Sequence, residues 1–193
     1  MKSIDTNKIL IGLFIILLPI SIYANAGVPM IYISYPLMAY SLIPIIIIES
    51  VIFVKLTKIS FKKSIISNSV SNIISTLGGF PLAWFLLYYL EGVTTDFRCG
   101  PGFDTIQNSI ITIIVEAAWL CPWEKNLKWL VPTAFIICLI IAFIISIFLE
   151  YLINKRIIKG LEKKIIRKAT LYANLFSYGL LIIISIVYLI FQL

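Results

Sequence analysis

The chain has 193 residues, of which 61% are hydrophobic, and its mean hydropathy is +1.04. A soluble domain is about 45–50% apolar, so the composition excludes an ordinary globular domain and points to a helical membrane protein. The formal net charge of +7 would suggest nucleic acid in a soluble chain. Here the Lys and Arg residues gather in two short loops, which reads as a cytoplasmic face held against anionic lipid headgroups, with no nucleic-acid partner.

The N-terminus has the form of a signal peptide over residues 1–26. Lys2 and Lys8 form a basic start, and residues 9–22 form an apolar core of 14 residues, short for a span. Ala24 and Ala26 then supply the small residues that a signal peptidase requires, with cleavage expected after Ala26. The alternative is an uncleaved first helix interrupted at Pro19. Either way Gly27 is expected outside.

The first span is expected over 29–54. It carries Pro29, Pro36 and Pro44, and proline removes a helix hydrogen bond, so a bend is expected near Pro44. A basic loop, 55–63, holds Lys55, Lys58, Lys62 and Lys63. The second span is expected over 64–90, with a bend at Gly78, Gly79 and Pro81 and with Trp84, Tyr88 and Tyr89 at its outer end.

Residues 91–130 hold an apolar run, 106–120, that spans only about 22 Å as a helix, against about 30 Å of hydrocarbon. Thr105, Asn108, Ser109, Thr112 and Glu116 recur along it at three- and four-residue spacing, which predicts an amphipathic or re-entrant helix. The charges decide whether it crosses. A crossing would put the second basic loop, 154–168, outside with its seven basic residues, against the orientation rule. The segment is therefore expected to remain outside, and both basic loops inside. Trp119, Trp123 and Trp129 follow the run, either as an interfacial belt or as a surface for a partner.

The third and fourth spans are expected over 131–153 and 169–193. The loop between them has helical spacing, with Ile157, Ile158, Leu161, Ile165 and Ile166 among the charges, which predicts a short amphipathic helix on the inner leaflet. The fold class is thus an all-α integral membrane protein of four transmembrane helices with an outer helix, forming a single domain over 27–193. Its expected place is the bacterial cytoplasmic membrane, with the mature termini outside.

Three groups of residues stand out. Cys99 and Cys121 both fall in the outer segment, where oxidation is permitted, and a disulfide between them would contribute about 3 kcal/mol by closing a loop of about 22 residues. Glu49, Asn68, Asn72, Glu150 and Asn174 all fall at about 5–12 Å from the inner boundary by residue counting, an intramembrane polar cluster. Such a cluster is either an ion or proton site, or helix-packing glue. In the second span Ser67, Ser71, Ser75 and Gly79 recur every fourth residue, a face that lets another helix approach closely.

Catalytic signatures are missing: no H-E-x-x-H, G-x-S-x-G or phosphate-binding loop, and no His at all. The expectation is a non-catalytic protein without a cofactor that acts by association with a membrane partner or with its own copies, as an accessory subunit or scaffold of an envelope complex. The alternative is a small oligomeric transporter or channel built around Glu49, and a more remote one is a membrane-embedded enzyme using Glu49 and Glu150.

Overall fold

The computed structural model describes residues 27–192, so the expected signal peptide with Ala24 and Ala26 lies outside the described residues. After a two-residue strand, β1 (Val28–Pro29), the chain enters α1 (Met30–Thr57). This helix runs unbroken through Pro36 and Pro44 and ends at Lys58, whose backbone is left-handed (φ 60°) and whose N–H closes on Val54 O. Helix α2 (Phe61–Ile74) starts at Ser60, whose hydroxyl accepts from Lys63 N.

The bend expected at Gly78 and Gly79 takes the form of a π-helical turn, Ser75–Gly79, leading directly into α3 (Phe80–Thr95). Pro81, in the first turn of α3, has no N–H to give the preceding turn, and one wider turn absorbs that loss. Helix α4 (Ile106–Val115) and strand β2 (Trp119–Leu120) follow, then the two long helices α5 (Leu127–Ile157) and α6 (Lys163–Gln192).

Among the described residues, four continuous helices are long and apolar enough to cross a membrane: Met30–Thr57, Phe61–Thr95, Leu127–Ile157 and, over most of its length, α6. Each passes the limits expected from hydropathy by a turn or so at one or both ends. Hydropathy marks where the apolar run stops, whereas helical hydrogen bonding continues into the polar residues beyond. The same effect corrects the second basic loop. No separate amphipathic helix forms there, because residues 154–157 finish α5 and 163–168 begin α6. Only a turn remains, with Gly160 at φ +89°.

The long helices form a ring in which α1 packs on α2 and α6, and α5 packs on α2 and α6. Phe53, Ile158, Ile166 and Ala169 form a small apolar cluster that also gathers Ile59 and Leu161 from the two basic turns, so both turns share one end of the bundle. Residues 96–126 are folded as a cap at the other end. There β1 and β2 pair antiparallel, Val28 opposite Leu120 and Pro29 opposite Trp119. Ala118 O accepts from both Met30 N (2.9 Å) and Trp84 Nε1 (2.8 Å). The larger core, including Met30, Phe80, Leu87, Leu120, Leu130 and Leu139, lies beneath this cap.

Helix α4 is shorter than the expected 106–120 run. It stops at Val115 because the next residue, Glu116, turns its side chain inward to bind loop N–H groups. The tryptophans are largely used internally: Trp123 and Trp129 pack edge-on against Phe103, and Tyr88 packs against Trp84 and Trp119.

The serine face of α2 meets α5 within the same subunit. Ser67, Ser71 and Ser75 are buried, and a Cβ placed on Gly79 would stand 3.1 Å from Leu149 Cδ1 and 3.3 Å from Ile145 Cγ2. Gly78, its neighbour, has nothing within 4 Å of such an atom. Overpacking a closed helix contact costs about 1–3 kcal/mol. Gly79→Val is therefore expected to lower the thermal midpoint of the purified protein, while Gly78→Ala leaves it within error. Equal midpoints for both would show that α2–α3 and α5 do not meet at Gly79.

Candidate functional site

Two carboxyl groups meet in the middle of the ring. Glu49 belongs to the inward face of α1, four residues after Ile45 and four before Phe53, all of them buried. Glu150 belongs to the inward face of α5, in register with Ala142, Ser146 and Asn154. Glu49 is 0% exposed and Glu150 1%, and the two carboxyl groups interact directly.

Four donors from the other two helices hold them. Asn72 Nδ2 donates to Glu49 Oε2 at 2.6 Å, and Ser177 Oγ to Glu49 Oε1 at 2.6 Å. Asn174 Nδ2 donates to Glu150 Oε2 at 2.7 Å, and Ser75 Oγ to Glu150 Oε1 at 2.9 Å. Every carboxyl oxygen thus receives one hydrogen bond, and among the described residues no Lys or Arg contributes one. The nearest basic side chains in sequence point away: Lys55 is exposed and Lys155 lies over the Tyr151 ring at 5.6 Å.

The arrangement repeats itself. Asn72 and Ser75 on one helix correspond to Asn174 and Ser177 on the other, an N-x-x-S pair following a glutamate by 23 residues in one hairpin and 24 in the other. Each Asn holds the glutamate of its own hairpin, and each Ser holds the glutamate of the opposite one. The backbone bonds agree as well: Asn72 Nδ2 also reaches Asn68 O (3.0 Å) and Asn174 Nδ2 reaches Thr170 O (3.2 Å). Ser75 Oγ lies 3.1 Å from Asn72 O, and Ser177 Oγ 3.2 Å from Asn174 O. The bonding around the pair therefore has a two-fold pattern relating hairpins α1–α2 and α5–α6, which the sequence reading did not find.

No family model matches the chain, and no curated protein or solved structure does either. The geometry alone carries the functional reading.

Of the five residues expected in the cluster, Glu49, Asn72, Glu150 and Asn174 come together around the pair. Asn68 stands one turn away, toward the basic turns, donating to Ser64 O (3.1 Å) and, at 3.5 Å, to Ser50 Oγ. At the same level Ser67 Oγ donates to Asn154 Oδ1 (2.6 Å), and Asn154 Nδ2 reaches Thr170 Oγ1 (3.4 Å). One turn toward the cap, Ser146 Oγ and Tyr178 OH are 2.7 Å apart. Ser177, Asn154, Thr170 and Tyr178 were not singled out from sequence. The signal that could have found Ser177 was the second N-x-x-S.

A second polar centre belongs to the cap. Cys99 and Cys121 are bonded to one another. The buried Glu116 carboxylate beside them accepts from Gly100 N (2.6 Å), Trp123 Nε1 (2.8 Å) and Cys121 N (3.3 Å). Gly100 suits this approach, since a Cβ there would lie 2.9 Å from Thr112 Oγ1 and 3.1 Å from Glu116 Oε1. Two sulfurs and a carboxylate lie together here, but with the sulfurs joined and the carboxylate filled by N–H groups this is a structural knot. Cys138 stands apart, buried, with its Sγ 3.3 Å from Ala117 O.

A pair kept only as packing glue and a pair kept for chemistry differ in stability terms. Removing one donor from a buried acceptor costs about 1–3 kcal/mol, so Asn174→Leu is expected to lower the thermal midpoint. Neutralising both acids removes the desolvation and mutual repulsion of two carboxylates, so Glu49→Gln combined with Glu150→Gln is expected to melt at or above the native midpoint. A strongly destabilised double variant would mark the acids as glue.

Proposed function

We propose that the chain is a multi-pass protein of the bacterial cytoplasmic membrane that carries a small cation through an exchange site formed by Glu49 and Glu150. The observation that carries this reading is the uncompensated acid pair. Two adjacent carboxyl groups, both fully buried, have no basic partner in their network, so a positive occupant is needed to balance them. Neutral Gln in place of each acid would hold the helices at lower desolvation cost. The repeated hairpins around the pair agree with carriers whose sites lie between structural repeats.

Orientation follows from the charges. The two basic turns share one end and are assigned to the cytoplasm, and the disulfide-tied cap, 96–126, to the outside. On this reading the four long helices cross the membrane with the acid pair within the hydrocarbon, and anionic lipids contact the basic turns.

Association with a partner, as an accessory subunit or scaffold, is the second reading. The serine face and the outer tryptophans that first suggested it are accounted for inside the subunit. It retains the apolar surface of the cap, where Phe97, Ile106 and Ile110 are exposed.

The two readings separate in purified, reconstituted protein. Proteoliposomes are expected to show cation flux under an imposed gradient of H⁺, Na⁺, K⁺ or Mg²⁺, and Glu49→Gln or Glu150→Gln is expected to reduce it to the level of empty vesicles. Absence of flux for all four ions, with a stable partner retained in native membranes, would overturn the carrier reading in favour of association. Cysteines engineered at Lys62 and Lys164 are expected to resist membrane-impermeant thiol reagents applied to intact cells, and labelling there would reverse the orientation.

A further inference from the structure

We infer that the cation exchanged at this site is the proton, and that Ser75 and Ser177 are hydroxyl switches that keep both carboxyl groups hydrogen-bonded whether or not they carry it. The inference rests on the carrier reading above and specifies its substrate.

The donor set argues against a metal cation. A hard cation such as Na⁺ or Mg²⁺ needs a shell of oxygen ligands turned toward it. Both asparagines turn Nδ2, not Oδ1, to the acids. Their orientation is fixed, because the same Nδ2 of Asn72 and of Asn174 also reaches a backbone carbonyl one turn earlier, Asn68 O and Thr170 O. A carbonyl only accepts, so exchanging N and O in either side chain would set oxygen against oxygen. The pair is thus met by two fixed N–H groups and two hydroxyls, so each carboxyl oxygen faces a hydrogen-bond donor and is not left open to a metal ion.

The hydroxyls are placed for two states. Ser177 Oγ is 2.6 Å from Glu49 Oε1 and 3.2 Å from Asn174 O, and Ser75 Oγ is 2.9 Å from Glu150 Oε1 and 3.1 Å from Asn72 O. Each serine has a single hydrogen for these two acceptors. Beside a carboxylate, the serine donates to it. When that carboxyl oxygen carries a proton, it donates to Oγ, and the serine turns its own hydrogen to the backbone carbonyl. Neither state leaves a serine hydroxyl, or the carboxyl oxygen it faces, unpaired.

A separate observation points to the same ligand. Asn174 Oδ1 is buried and has no hydrogen-bond partner, next to the amide nitrogen that holds Glu150. A proton on Glu150 Oε2, in place of the Oε1 that faces Ser75, brings a hydrogen to this amide, whereas a carboxylate has none to give. The step balances simply: a carboxylate oxygen takes H⁺ from a hydronium ion, forming an O–H bond and leaving water, and release is the reverse. The titratable groups at the pair are the two glutamates and Tyr178 on α6, whose hydroxyl is paired with Ser146 on α5. Helices α2 and α3 present none to it.

The test uses the full protein in proteoliposomes with a pH-sensitive dye inside. Proton flux is expected in choline buffer free of Na⁺, K⁺ and Mg²⁺. The Ser75→Ala, Ser177→Ala double variant is expected to move the pH of half-maximal flux by about one unit or more, a tenfold change in proton affinity. The corresponding double Thr variant, which keeps both hydroxyls, is expected to restore the native profile. Flux that requires a metal ion would overturn the proton assignment and leave the cation site standing. An unshifted profile in a folded Ala variant would remove the serines from the mechanism. Should the Ala variant fail to fold, infrared spectra of the unmutated protein decide the assignment. A carboxylic C=O band that shifts in D₂O and is lost in Glu49→Gln, Glu150→Gln supports it, and absence of such a band between pH 5 and 8 defeats it.

Discussion

Two acids buried side by side constrain everything around them. In an interior of low effective dielectric, a carboxyl group without hydrogen bonds costs several kcal/mol, and two carboxylates also repel. The bundle meets the first cost completely: one donor reaches each oxygen, drawn from α2, the π turn and α6. Those four bonds fix the axial register of all four long helices, because sliding any helix by one residue would swing its polar group off the pair. The π turn belongs to the same account. By widening the helix at Ser75, it adjusts the register that brings Ser75 Oγ to Glu150.

Above and below the acids lie layers of different kinds. Toward the basic turns, Asn154, Thr170, Ser67 and Asn68 form one polar layer, and the Phe53, Ile158, Ile166 and Ala169 cluster closes the bundle beyond it. Toward the cap, a single hydroxyl pair, Ser146 and Tyr178, separates the acids from the large apolar core. The site is enclosed at both ends, and its polar surroundings extend further toward the basic end. The cap seals the other end through Glu116 and the Cys99–Cys121 bond, which tie residues 96–126 down without using either acid. Rigidity at the cap and polarity toward the basic turns are therefore built by separate sets of residues.

The sequence made the helices and the depth of the acids legible, because apolar runs of span length and rare interior polar residues stand out against Ile and Leu. Counting along helices was enough to put Glu49, Asn72, Glu150 and Asn174 at one level. The repeat stayed hidden because its two halves share an acid, an amide and a hydroxyl among otherwise interchangeable apolar residues, and such a sparse match is invisible without knowing which faces meet. Ser75 was visible only as a small packing residue, since four-residue spacing explains it equally well. The helix ends and the second basic loop were misjudged for a related reason: the pattern of Ile157, Ile158, Ile165 and Ile166 is helical, but periodicity does not tell a separate helix from the ends of two long ones. The early stop of α4 at Val115 depended on Glu116 finding three N–H groups, two of them on residues that follow it in the chain and one on a loop before it.

The pattern of bonds within and between hairpins also bears on how such a site could open. Each asparagine serves the glutamate of its own hairpin, so Glu49 with Asn72 and Glu150 with Asn174 are complete units that survive a change in the spacing between hairpins. Ser75, Ser177 and the carboxyl–carboxyl contact are the links that cross between them. At the acid pair, parting the hairpins would break these two hydroxyl bonds, each worth about 0.5–1.5 kcal/mol net, and end the repulsion between the acids; one turn away it would also break the bond from Ser67 Oγ to Asn154 Oδ1. Each serine would keep a partner in the carbonyl three residues before it. The bonds that hold each acid within its hairpin and the bonds that join the two halves are made by different residues. A site divided in this way keeps each acid held by its own hairpin, while the two hairpins meet through hydroxyls and packed side chains.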